Sequence, residues 1–297
     1  MIRSLRPSAS VLALPLFLLL QGCVSARLAQ FSGFSQAGVA YVKASGAFID
    51  EAGAAAVRGD SALLLKARPD LTPRDRLEQI SSKNKLLAQR LLLLRQIKRH
   101  GQLLQDYFEV LGSMADSKAP ESLGVTAQGV YDSLAKLSPA LKNAKIGSST
   151  VSDFIPSVVP IVVAPLKART LEKELRERGP LIERELALQE AMLAVLAREI
   201  QTDLTIELNM QTTREIIDPY VSDSEVPSDW TTKRDEILNT TVTSQSADAA
   251  AQAAHKLRLS FQRLAANQFD SAALSSLIAD INSILDLTEK IKAAPGE

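Results

Sequence analysis

Apolar residues recur at helical spacing along most of this chain. In the segment Phe31–Lys66, three aromatic residues, Phe34, Tyr41 and Phe48, stand seven positions apart. Seven-residue spacing places them on one stripe of a helix, and the small residues between them allow a partner helix to approach closely. The pattern therefore predicts a first long helix that is stabilised mainly by packing.

A second long helix is predicted from a clear start signal. Thr72 is a capping residue, Pro73 suits the first helical position, and Asp75 places a carboxylate in the first turn. The helix is expected to run to about Gly112. Its apolar residues occupy several sides: Leu77, Ile80, Leu86, Leu87, Leu91, Leu92, Leu93 and Leu94. A helix that is apolar nearly all round is typical of a central, buried position.

Three- and four-residue spacing of apolar positions predicts further helices over about 121–145, 182–217, 228–264 and 274–291. Aromatic residues are only 4% of the chain. This scarcity also favours helices, because sheets draw on aromatic and β-branched residues for cross-strand packing. The expected fold is all-α: an elongated bundle of about six helices with long coiled-coil-like segments.

The segment Val151–Leu166 breaks this pattern. It combines an apolar run with Pro156, Pro160 and Pro165, and prolines at this density exclude a regular helix and a central strand. Two interpretations stay open: a buried crossing at the end of the bundle, or an exposed apolar tongue that contacts membrane or another protein. The residues of that possible contact are Phe154, Ile155, Val158, Val159, Ile161, Val162 and Val163.

The first 23 residues have the three-part layout of an export signal. Arg3 and Arg6 give a positive start, Val11–Leu20 is an apolar run, and Gln21 and Gly22 lead into Cys23, the one cysteine of the chain. A run of ten apolar residues is short of the ~20 that a transmembrane helix needs.

The sequence Leu20-Gln21-Gly22-Cys23 resembles the lipobox of bacterial lipoproteins. The resemblance implies cleavage between Gly22 and Cys23 and attachment of fatty chains (palmitate in the family) to Cys23, which would anchor the protein to a membrane. Val24 is not the Asp that the family uses for inner-membrane retention. The implied location is the outer membrane, facing the periplasm. The expected division is a signal at 1–22, a lipidated tether at 23–30, a bundle at 31–293 and a tail at 294–297.

Charge and cysteine content exclude several classes of function. The 34 basic and 34 acidic side chains cancel, and loss of Arg3 and Arg6 with the signal leaves 32 and 34, a net charge of −2. A nucleic-acid binder normally carries a strong basic excess, so no nucleic-acid partner is expected. A single cysteine allows no internal disulfide and no cysteine-based metal cluster.

Charge is nevertheless uneven within the second helix. Between Gln79 and Gln105 every charged residue is basic: Lys83, Lys85, Arg90, Arg95, Lys98 and Arg99. These side chains either meet anionic lipid headgroups or an acidic partner, or lie along neighbouring helices with their long apolar stems packed against them.

No catalytic motif is present. The two histidines, His100 and His255, lack a second ligand at metal-binding spacing, and each is expected on the surface or in a seam between helices. We therefore expect no catalytic residues, cofactor, metal or small-molecule substrate. The sequence favours a lipid-anchored, non-enzymatic binding or scaffold protein of the cell envelope, with an envelope protein or a second copy as partner.

The alternative is a membrane-active bundle that inserts segment 154–166 into lipid, which looks only loosely like the helical pore-forming toxins. An enzyme with a site assembled from distant residues is the third hypothesis.

Overall fold

The computed structural model describes residues 14–116, 121–158, 169–222, 225–243 and 248–293. Within these ranges the chain is helical apart from short links and one hairpin of two two-residue strands, so the expected all-α class is confirmed. The helices are α1 (Leu14–Ala67), α2 (Pro73–Asp116), α3 (Glu121–Lys142), α4 (Arg169–Gln211), α5 (Asp218–Val221), α6 (Trp230–Thr243), α7 (Ala249–Ala265) and α8 (Ser271–Ala293). The hairpin pairs β1 (Lys145–Ile146) with β2 (Ser149–Thr150).

Short turns of other helical types join these elements. They are the 3₁₀ turns Arg68–Asp70 and Val151–Phe154 and the π-helical turn Thr212–Ile217. The last of these continues α4 directly into α5, so the helix predicted over 182–217 is found, but it begins earlier, at Arg169, and runs past Pro219 to Val221 through the π turn.

The long helices pack side by side, and cross-contacts give their directions. Gly38 of α1 lies against Phe108 of α2 and Gly53 lies against Leu94, so these two helices are antiparallel. Tyr41 of α1 lies beside Gln189 of α4 and Gly59 lies against Asp203, so α4 runs parallel to α1. Arg258 of α7 meets Glu183 of α4 in the opposite direction, and α8 then returns alongside α1.

The aromatic stripe of α1 forms the centre of the core. Phe34, Tyr41 and Phe48 are fully buried, as the seven-residue spacing predicts. The Phe34 ring lies 5.5 Å from the ring of Phe108 on α2 and 5.9 Å from that of Phe261 on α7. These edge and tilted contacts are the preferred geometries of aromatic pairs. At Phe34, α1 is therefore packed against both α2 and α7.

The predicted start of α2 is confirmed in its atomic detail. The helix begins at Pro73, and the Thr72 Oγ1 accepts a hydrogen bond of 3.3 Å from the Asp75 amide. The Thr72 hydroxyl also donates to the Asp75 carboxylate at 2.7 Å. The cap satisfies one of the amides that a helix start leaves free.

The expectation that all of α2 is central is wrong for its first half. Leu77 is 72% exposed and Leu86 is 60% exposed, and burial begins at Leu94. The reason is the length of the neighbouring helix. α3 has 22 residues and runs back along α2 from the α2–α3 link, so it reaches about as far as Leu94 and leaves the earlier turns uncovered.

The end of α4 is fixed by Trp230. Pro219 has no amide hydrogen to donate, and the helix passes through the π turn before it. The Trp230 indole nitrogen donates to the Ile216 carbonyl at 3.1 Å, and its ring stacks on Tyr220 with centroids 5.6 Å apart. These contacts attach the start of α6 to the π turn and α5, which continue α4.

Candidate functional site

The two ends of the bundle are the first features relevant to function. At one end, the backbone of Leu20–Cys23 lies inside α1. Among the side chains of α1 that the structure describes, Arg27 is the first that is buried, about one helical turn after Cys23. The Arg27 guanidinium donates to the Leu264 carbonyl and lies 4.6 Å from the centre of the Phe31 ring. Burial lowers the pKa of Arg27.

Residues 23–30, which the sequence predicts to be a lipidated tether, include Arg27. In the structure this stretch is helical and is already attached to the bundle at Arg27. The limits of the four predicted segments stay a prediction.

The opposite end, which we call the distal end, comprises residues 57–92 and 203–221. Ion pairs join its three long helices. Arg58 of α1 donates to Glu207 of α4 at 2.9 Å, and Arg90 of α2 donates to Asp203 of α4 at 3.1 Å. Burial raises the pKa of the Asp203 carboxyl, and the Arg90 contact partly offsets this.

Ion pairs show where half of the six basic side chains between Gln79 and Gln105 of α2 lie. Lys83 pairs with Asp60 at 3.5 Å and Lys98 pairs with Asp50, so three of the six residues, with Arg90, neutralise acids of neighbouring helices. Lys85, Arg95 and Arg99 are exposed.

Large apolar side chains are exposed at the distal end. They include Leu63, Leu65, Leu77, Ile80, Leu86, Leu92, Ile217, Tyr220 and Val221. A groove of about 500 Å³ between α1 and α4 opens beside them, with Leu65 and Met210 in its wall and the Arg58–Glu207 pair at its edge. Clustered exposed apolar groups of this kind are typical of interaction surfaces.

A buried polar network crosses four helices in the middle of the bundle. His100 of α2 is fully buried, and its Nδ1 lies 2.8 Å from Gln189 Oε1 on α4. Its Nε2 lies 3.0 Å from a carboxylate oxygen of Glu185, also on α4. Ser138 of α3 donates to that same oxygen. Burial raises the pKa of Tyr41, which approaches Gln189 from α1.

Two polar atoms beside His100 have no hydrogen-bond partner among the described residues: Gln189 Nε2 and the Tyr41 hydroxyl oxygen. The Gln189 amide can present either its oxygen or its nitrogen to His100 Nδ1, and this choice determines which ring nitrogen of His100 carries the proton.

This network is not arranged as a nucleophile with its base. Ser138 and His100 both bond to Glu185, so the histidine does not lie between the hydroxyl and the carboxylate as it does in a serine–histidine–carboxylate triad. The Ser138 hydroxyl also approaches the Leu134 carbonyl of its own helix at 2.8 Å. The hydrogen bonds of the network fix the relative positions of α2, α3 and α4. Of the two positions expected for His100, on the surface or in a seam between helices, the structure shows the seam.

A second polar cluster joins α4 to α7. Arg258 is 5% exposed and donates to the fully buried Glu183 at 3.1 Å and to Glu190 at 2.7 Å. Gln262 donates to the same Glu183 oxygen at 2.8 Å, and the exposed His255 lies 2.9 Å from Glu190. Burial raises the pKa of the Glu183 carboxyl, while Arg258 and Gln262 oppose that shift.

The raised pKa of Glu183 predicts a pH dependence of stability. The folded protein holds this proton more tightly than the unfolded chain, whose glutamates titrate near pH 4.3. The contribution of Glu183 to the free energy of unfolding therefore falls as pH rises from about 4 through the raised folded pKa. Glu183→Gln cannot ionise, so its stability relative to the wild type is expected to improve as pH rises from about 4 to 7.

Urea unfolding followed by circular dichroism at several pH values measures this difference. Glu78→Gln, at an exposed position on α2, controls for the loss of one surface carboxylate. Parallel pH profiles for the wild type and Glu183→Gln would show that the buried carboxyl does not titrate differently in the folded state.

The apolar residues singled out between 154 and 163 are only partly described. Phe154 and Ile155 are half-buried and pack against the core, and the Arg198 guanidinium lies 4.5 Å from the centre of the Phe154 ring. Val158 is half-buried. The remaining candidates, Val159, Ile161, Val162 and Val163, lie outside the described residues. At its first two positions the segment therefore covers the bundle, and the insertion of the rest into lipid stays a prediction.

Metal-binding groups and membrane-spanning helices are both absent from the described part of the chain. It contains no group of three or more histidine, cysteine or acidic side chains placed to hold a metal ion. No helix in it is long and apolar enough to cross a membrane.

Comparison of the chain with protein-family models, with curated proteins and with solved structures finds no match.

Proposed function

We propose that this chain is a lipid-anchored protein of the cell envelope that acts as a non-enzymatic binding or scaffold protein. In this proposal Cys23 becomes the acylated first residue of the mature protein. The anchor lies in the outer membrane, with the bundle facing the periplasm. The binding surface is the distal end of the bundle.

The observation that carries the proposal is the continuity of α1. This helix runs without a break from the lipobox-like residues to Ala67, and it is packed against its neighbours from Arg27 onward. At a rise of 1.5 Å per residue, the 44 steps from Cys23 to Ala67 span about 66 Å. An anchor at Cys23 therefore attaches to a rod, and the exposed apolar surface lies at the far end of that rod.

The chemistry of the interior agrees with a role in binding. The buried polar groups of His100 and Arg258 are engaged by neighbouring side chains and join helices together. Exposed large apolar groups are concentrated at the distal end, where partner surfaces can reach them.

The anchor is tested by membrane fractionation of cells that make the wild type or Cys23→Ala. We expect the wild type in the outer-membrane fraction, and the variant either in the soluble fraction or uncleaved. Ala29→Ser, at an exposed position six residues further along α1, is the matched control and is expected to fractionate as the wild type does. Equal membrane retention of Cys23→Ala in a cleaved form would contradict the proposal.

A further inference from the structure

The distal end contains a compact apolar and basic feature, which we call the α1–α2 tip and define as residues 61–86. It comprises the last turns of α1, the 3₁₀ link and the first turns of α2. We propose that the α1–α2 tip binds the surface of a second, anionic lipid bilayer while Cys23 holds the protein in its own membrane. This inference rests on the anchor proposed above.

The exposed apolar side chains of the tip lie close to the ends of α1 and α2. Leu65 is 63% exposed, Leu77 is 72% exposed and Ile80 is 44% exposed. With Leu63, all of them lie within seven residues of the helix ends at Ala67 and Pro73. At 1.5 Å per residue this is about 10 Å or less, and interfacial helices insert their apolar groups about 5–10 Å into the headgroup region.

The tip is basic, although the chain as a whole has no net charge. It carries six basic and three acidic residues, and Lys83 is paired with Asp60, just outside the tip, so the tip with this partner has a net charge of +2, in a chain whose 34 basic and 34 acidic residues cancel. Each strongly exposed leucine has a basic neighbour in sequence, as in Leu65–Lys66, Arg76–Leu77 and Lys85–Leu86. Interleaved leucines and cations are typical of surfaces that bind anionic lipid.

The distribution of the leucines around the helices favours a bilayer over a protein partner. Leu63 and Leu65 are two positions apart on α1, so they point about 160° apart around the helix axis. A rigid protein surface covers one side of such a tip. A fluid headgroup layer surrounds it and reaches both residues.

The continuity of α1 keeps the tip away from the anchoring membrane. The helix is unbroken between Cys23 and the tip, and three interhelical ion pairs hold the distal end together: Arg58–Glu207, Arg90–Asp203 and Lys83–Asp60. The anchor and the tip therefore lie toward opposite ends of one continuous helix, about 66 Å apart along its axis. Such an arrangement joins two bilayers more readily than it contacts one bilayer twice.

The test is vesicle capture by the purified acylated protein. The protein is reconstituted in donor vesicles of phosphatidylcholine and mixed with labelled acceptor vesicles of phosphatidylcholine containing about 30% phosphatidylglycerol. We expect acceptors to float with donors. Capture is expected to fall about tenfold or more in Leu65→Glu/Leu77→Glu, and to fall at high salt.

A matched control keeps the result specific to the tip. Ile278 and Leu285 are 45% and 43% exposed on one side of α8, and Ile278→Glu/Leu285→Glu is expected to capture acceptors as the wild type does. Circular dichroism shows that each variant is folded. Capture unaffected by the tip substitutions would overturn the proposal.

Three further outcomes would also overturn it. The first is equal capture of acceptor vesicles made of phosphatidylcholine alone. The second is clustering of donor vesicles in the absence of acceptors, which indicates pairing between two copies of the protein. The third is no capture of acceptors by folded protein that stays on the donor vesicles. The last result leaves the tip as a surface for a protein partner. Failure of the protein to stay with donor vesicles counts instead against the lipid anchor.

Discussion

Replacing Arg258 with alanine is expected to lower the free energy of unfolding by about 3–5 kcal/mol. The guanidinium is buried between Glu183 and Glu190, and Glu183 has no exposed side-chain surface. Removing the cation leaves a carboxylate in a site whose burial already raises its pKa. An uncompensated buried charge is one of the few causes of so large a loss.

Urea unfolding of three variants separates the charge effect from other losses. Arg263→Ala, at an exposed position of the same helix, is the matched control and is expected to change stability by no more than about 0.5 kcal/mol. Arg258→Met/Glu183→Met removes both buried charges and is expected to regain most of the lost stability. If Arg258→Ala were as stable as Arg263→Ala, the cluster would not hold α4 to α7.

Gly38→Ala is expected to cost about 2–3 kcal/mol, although alanine is the better helix former. A Cβ atom at this position would lie 2.6 Å from the Phe108 ring. That ring is fully buried and packs edge-on against Phe34, so it has little room to move. Overpacking of this kind forces the two helices apart.

Gly129→Ala is expected to have the opposite effect on stability, although Gly129 also lies within a helix. A Cβ there meets nothing within 4 Å, so the substitution is expected to stabilise the protein by about 0.5–1 kcal/mol. Thermal unfolding of both variants measures the difference. A stabilising Gly38→Ala would show that α1 and α2 are not in close contact at this point.

The sequence predicts those features that depend on local spacing. The stripe of Phe34, Tyr41 and Phe48 and the cap at Thr72 need only the geometry of a single helix, and both are found as expected. The exposure of Leu77 and Leu86 is different, because it depends on where α3 stops covering α2. Apolar positions alone do not tell whether a neighbour is present.

The buried polar clusters show the same limit. Glu183 and Glu185 stand two positions apart and, in the sequence, resemble any pair of carboxylates on a charged helix. In the structure they face different helices: Glu183 meets Arg258 of α7, and Glu185 meets His100 of α2. Their partners are 75 and 85 residues away, so spacing within α4 gives no sign of them. The one usable signal is that Glu183 and Glu185 adjoin the apolar positions Ile182 and Leu186.

Mass spectrometry of the N-terminal peptide from the mature protein tests the central claim most directly. The lipid anchor predicts a peptide that begins at Cys23 and carries the added mass of a diacylglyceryl group and an amide-linked acyl chain. A mature protein that begins at any other residue, or a Cys23 without acyl mass, would contradict it.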